Sequence, residues 1–136
     1  MKPKFRSGTK KAIEELAEEL NLPFDEWMQD WPFEVVNPSD IDKYINHYKL
    51  LNDDDKKIVL LDGIIQSVEE QSNEELFQKY LKTVRQILEK DYDIYEYQIY
   101  YWACLENNKN EIDDCWKVTP MMRDLINTKK NKKQKI

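Results

Sequence analysis

One histidine and two cysteines set the limits on what chemistry this 136-residue chain could carry. His47 falls near the end of a predicted helix. A zinc site needs three or four His, Cys or carboxylate ligands, and no Cys-x-x-Cys or His-Glu-x-x-His pattern exists. His47 therefore reads as a surface or boundary residue. A nucleophilic cysteine needs a nearby base and an electropositive setting. Neither Cys104, in an aromatic segment, nor Cys115, before Trp116, has one in its local sequence, so both read as small core side chains. Their spacing across a predicted turn leaves a pairing open. Two cysteines still make no disulfide framework, and the expectation is a reduced, cytoplasmic protein.

Carboxylates are plentiful, so accidental pairs are too. Asp53, Asp54 and Asp55 lack the alternating spacing, central glycine and closing glutamate of a calcium loop and read as a charged helix start. Glu14 and Glu18 share a helix face, as do Glu15 and Glu19, but acid–base work needs environments that push two pKa values apart. Asp62 is the one acid set inside an apolar run, between Leu61 and Gly63. A solvent-facing Asp62 is the plainer reading. The alternative is a carboxylate and tyrosine pocket built from Asp62, Arg85, Tyr92 and Tyr100. The only glycines are Gly8 and Gly63, which rules out glycine-rich phosphate loops. No cofactor and no metal are expected.

Aromatic residues are the stronger signal. Trp27, Trp31 and Phe33 flank Pro32 in a stretch that also holds Asp25, Glu26 and Asp30. Tyr92, Tyr95, Tyr97, Tyr100, Tyr101 and Trp102 lie close together among Asp91, Asp93 and Glu96. One narrow core stripe cannot take them all. Either the second cluster lies on a helix buried on several sides, or some of its rings contact a partner. The candidate protein-binding residues are Trp27, Trp31, Phe33, Tyr95, Tyr97, Tyr101 and Trp102.

The charge layout says what that partner would be. All 27 acidic residues lie between Ala12 and Thr128 with only eleven Lys and Arg, a net of −16. Each end is basic: Lys2, Lys4, Arg6, Lys10 and Lys11 at one, Lys129, Lys130, Lys132, Lys133 and Lys135 at the other. The acidic body repels nucleic acid, and no recognition module is visible, so no sequence-specific nucleic-acid partner is expected. Aromatics ringed by acids suit a protein with a basic surface. The basic ends also permit pairing with the body of a second copy, giving a homo-oligomer.

The elements that must position these residues are helical. Lys, Glu, Leu and Ile dominate and glycine is scarce, which suits helices. Ile13, Leu16, Ala17 and Leu20 repeat at helical spacing, predicting a helix over about Thr9 to Leu20, with Asn21 either ending it or capping the next element. Phe24, Trp27, Met28 and Trp31 repeat it again, predicting a short helix stopped by Pro32. Pro38, Ser39 and Asp40 open a third, with Ile41, Tyr44, Ile45 and Tyr48. The fourth carries Ile58, Leu61, Ile64, Ile65 and Val68, is the most apolar, and is expected at the centre. Gly63 inside it predicts a close helix crossing. Ser72 to Glu75 reads as a capping box for a fifth helix reaching about Lys90. Asp93 to Glu96 begins a sixth; a strand at Tyr92 and Ile94 soon loses its match. Asn107 to Asn110 is a predicted loop, Glu111 to Trp116 a short helix, and Thr119 with Pro120 a cap for the last helix.

The expectation is an all-α fold: a compact multi-helix bundle, or an irregular helix-pair array, of six to seven antiparallel helices. Residues 1–128 form the single domain and 129–136 a basic tail frayed from it. No segment approaches the roughly 20 apolar residues of a transmembrane helix; the run Ile58 to Leu61 is ended by Asp62. The basic start has no apolar stretch after it and does not resemble a signal peptide. The favoured function is non-catalytic protein binding, of an acidic inhibitor, immunity or adaptor type. The alternatives are a small enzyme or ligand-binding domain using the pocket above, and a regulatory subunit whose Lys-rich ends touch nucleic acid or anionic membrane.

Overall fold

The computed structural model describes residues 3, 8–28, 30–105 and 115–134, the last two as backbone alone. The fold is all-α. Among the described residues there are seven α-helices, one 3₁₀ turn and no strand. The helices are α1 Lys10–Leu20, α2 Trp31–Glu34, α3 Ile41–Tyr48, α4 Asp54–Glu69, α5 Glu74–Lys90, α6 Tyr92–Trp102 and α7 Thr119–Gln134, and the 3₁₀ turn is Pro38–Asp40. The chain divides into two compact units, 7–77 and 78–136, with the division inside α5.

In the first unit, local chemistry starts and stops α1 as its sequence requires. The Thr9 hydroxyl accepts from Ala12 N at 3.1 Å, and Asn21 takes the left-handed conformation at φ 53°, a backbone state that asparagine tolerates after a helix. Leu16 and Leu20 are buried on the inner face. Helix α4 is the centre of this unit: α1, α2, α3 and the 3₁₀ turn all pack on it. Nine of its sixteen residues are buried, a breadth that marks a helix enclosed by others. Gly63 lies at a close approach of α4 to the Pro32–Val36 segment. A Cβ there would lie 2.9 Å from Val36 Cγ1 and 3.3 Å from the Pro32 carbonyl oxygen.

Three helix starts differ from the sequence expectation. Residues 24–28 form a turn, and Pro32 sits in the first turn of α2 instead of ending a helix before it. The Asp25 carboxylate accepts from Trp27 N at 2.9 Å, so a side chain satisfies an amide that a helix would otherwise engage. The cap of α5 is Asn73, not Ser72: its side-chain oxygen accepts from Leu76 N at 3.0 Å. Thr119 turns its hydroxyl outward from α7, donating to the Trp102 carbonyl at 2.8 Å and accepting from Trp116 N at 3.2 Å.

In the second unit α6 packs on α7. Ile99 and Trp102 of α6, with Met122, Leu125 and Ile126 of α7, are buried, each large side chain contributing about 1.5–3 kcal/mol. Arg85 of α5 reaches Asp124 of α7 at 2.7 Å and Glu89 at 2.7 Å. Helix α7 runs on to Gln134, through most of the segment expected to be a frayed tail. The loop expected at Asn107 to Asn110 and most of the short helix expected from Glu111 lie outside the described residues.

Candidate functional site

Trp27 is the most exposed large apolar side chain described, at 87%. It is held in place. Besides the Asp25 side chain on its amide, Met28 N donates to the Asp25 carbonyl at 3.0 Å. At the base of the turn the Trp31 indole donates to the Pro23 carbonyl at 2.7 Å. Phe24 beside it is also partly exposed, as are the carboxylates of Asp25, Glu26 and Asp30. Glu26 meets Lys10 of α1 at 3.7 Å. The turn therefore presents an indole ring amid acids on a fixed backbone. Trp31 itself is buried and Phe33 is half-buried, so of the three aromatics singled out here Trp27 alone faces water.

The second aromatic cluster is largely interior. Tyr95 and Trp102 are fully buried, Tyr97 is half-buried, and Tyr101 is exposed. Trp116 completes a group of three rings, with centroids 4.8 Å from Trp102 and 5.1 Å from Tyr101. These separations are those of favourable aromatic pairs. Helix α6 carries buried residues on several sides, and Leu105 just beyond it is exposed.

Cys104 and Cys115 are joined in a disulfide, their Cα atoms 6.1 Å apart. This corrects the expectation of two reduced core thiols: among the described residues no cysteine is free. Cys104 takes φ 58° just past α6. Arg123 of α7 donates to the carbonyls of Ala103 and Cys104 at 2.7 and 3.0 Å, satisfying the end of α6. Disulfides persist where surroundings oxidise, so the bond removes the argument from thiols for a cytoplasmic location. No described helix is long and apolar enough to cross a membrane.

The four residues of the alternative pocket fall in different units. Asp62 lies on α4, half-buried, in the first, whereas Arg85, Tyr92 and Tyr100 lie in the second. The carboxylates of Glu89 and then Asp124 hold the Arg85 guanidinium even more firmly protonated than usual. His47 meets Glu19 at 2.7 Å. Lys56 also reaches Glu19, and Glu15 at 3.2 Å, so α1, α3 and α4 share one ionic cluster. The Lys56 ammonium, against some desolvation, holds the Glu19 carboxyl below its ordinary range, with His47 adding to the effect. Among the described residues no group of three or more His, Cys, Asp and Glu is placed to hold a metal ion.

Sequence reasoning missed the cluster at Glu19. Its signal was the pair of acids Glu15 and Glu19 on one face of α1, together with Lys56 at the start of α4 and the chain's one histidine on α3. Compared with known protein families, curated proteins and solved structures, the chain matches none of them.

Proposed function

We propose that this chain is a non-catalytic binding protein, of the acidic inhibitor or immunity type, that docks on a protein with a basic surface. The observation that supports the reading best is Trp27, exposed to 87% on a turn whose backbone is already fixed. An indole this exposed forgoes roughly 3 kcal/mol of burial, and a fixed backbone lowers the ordering cost of binding. Tryptophan is a preferred anchor in interfaces. Asp25, Glu26 and Asp30 around it attract Lys and Arg, and the net −16 of residues 12–128 steers such a partner from a distance.

The test is affinity capture from native lysate at about 50 and 200 mM salt, the range over which surface electrostatics is strongly screened, using the chain and Glu26→Lys. Glu26 is exposed, and its ion pair among the described residues is with Lys10 at 3.7 Å, so the exchange should leave the fold intact. A stoichiometric basic partner, retained by the chain and lost by Glu26→Lys and by added salt, is the expected result. Equal capture by both proteins at both salts would reject the reading.

A further inference from the structure

Where α5 passes into α6 there is a cavity of about 180 Å³ whose lining includes Glu89, Lys90, Asp91, Tyr92, Asp93 and Lys129. We propose that this cavity recognises the guanidinium or ammonium group of a basic protein segment, and that Lys129 is its built-in occupant. The primary observation is a cation already in place. The Lys129 ammonium, carried back by α7, lies 5.0 Å from the centroid of the Tyr92 ring, within the range of cation–π attraction.

The ring is a fixed platform. Tyr92 is only 8% exposed, so a cation meets a face that costs little further ordering. The acids around it are not all spent. Glu89 is engaged by Arg85 at 2.7 Å, but Asp91 and Asp93 have no ion pair among the described residues. Burial foremost, then Tyr100, Glu96 and Asp93, pushes the Tyr92 hydroxyl up to about 12, and Glu96 and Asp93 are the carboxylates among these neighbours. Size narrows the ligand. At about 180 Å³ the space falls below the usual range for whole small-molecule ligands and suits one side-chain head group. A protein segment presenting Arg or Lys is therefore the source we assign, and it must displace Lys129 to enter. The proposal shares the basic partner of the preceding section but rests on none of the residues of the Trp27 turn.

The experiment titrates the full chain with N-acetyl-argininamide, its neutral citrulline analogue and a hexa-arginine peptide, following the Tyr92 ring resonances by NMR. Expected are saturable shifts with both arginine ligands, tighter for the peptide, and none with citrulline. Lys129→Met keeps the aliphatic stem and removes the competing charge, so it should tighten binding roughly fivefold, the scale of a partly exposed cation–π contact. Asp91→Asn with Asp93→Asn should weaken it, which keeps the test valid should Lys129→Met misfold. Absence of a saturable shift, an equal response to citrulline, or Lys129→Met binding no more tightly would overturn the proposal. Peptide binding no better than N-acetyl-argininamide would overturn the assignment of a protein segment. Trp27→Ala should leave this titration unchanged, so failure of the Trp27 reading and failure of this one are told apart.

Discussion

Replacing Gly63 by alanine sets two effects of known size against each other. Inside a helix, alanine is favoured over glycine by about 1 kcal/mol, and Gly63 lies well within α4. If the position were open, the substitution would stabilise the protein by that amount. The added Cβ instead meets Val36 Cγ1 at 2.9 Å and the Pro32 carbonyl oxygen at 3.3 Å. The first distance is too short for two carbons, and a valine methyl has no flexible stem with which to retreat. Overpacking of this kind costs about 1–3 kcal/mol. The net expectation is a loss of roughly 1 kcal/mol, with Gly63→Val losing more. Val36→Ala removes the methyl that is struck, so the double variant should recover much of the loss that Gly63→Ala adds. Urea denaturation of the four proteins measures the coupling directly. Stabilisation by Gly63→Ala of about 1 kcal/mol, or strict additivity with Val36→Ala, would refute the close approach of α4 to the Pro32–Val36 segment.

Other consequences follow from the remaining contacts. Replacing both Cys104 and Cys115 by serine opens a loop of eleven residues' separation, for which chain entropy alone sets a cost near 3 kcal/mol. Thr119 and Arg123 hold the same junction by hydrogen bonds, so a somewhat smaller drop in denaturation free energy is expected, reproduced in the parent chain by a thiol reductant. Glu19 has a folded pKa below its ordinary value of 4.5 because of Lys56. Its contribution to stability is therefore complete above about pH 4.5 and is lost as the pH falls through the lowered value. Lys56→Met should flatten that acid limb in a pH series of urea midpoints, and an unchanged limb would show that the cluster does not form in solution.

What could be read in the sequence was what neighbouring residues decide. The extent of α1 and its end at Asn21 need only a few adjacent side chains, and both are observed, with Leu16, Ala17 and Leu20 of the expected stripe buried and Ile13 half-buried. The central place of α4 followed from its breadth of apolar residues, and the close crossing followed from a glycine in a helix that had no local use for one. The Phe24 to Trp31 stretch misled because its aromatics do follow helical spacing. The Asp25 side chain captures the Trp27 amide, and Pro32 is as comfortable inside the first turn of a helix as beyond the last. Ser72 and Asn73 both make good caps, and the register of α5 chooses between them. The disulfide joins cysteines eleven residues apart, a pairing that spacing permits but does not dictate. The candidate site was legible only as composition. Trp27 and Trp31 have the same side chain within one turn of sequence, yet one is 87% exposed and the other 2%. The difference lies in the Pro23 carbonyl that receives the Trp31 indole.

The most direct test of the binding reading is Trp27→Ala, with stability and partner capture measured on the same preparation. Trp27 faces water, so its loss should move the unfolding free energy by no more than about 0.5 kcal/mol. Loss of a central interface tryptophan costs about 2 kcal/mol or more in binding, which should weaken retention of a basic partner more than tenfold. Unchanged stability with lost capture is the expected result. Retention undiminished by Trp27→Ala, or a fall in stability large enough to explain the loss, would contradict it.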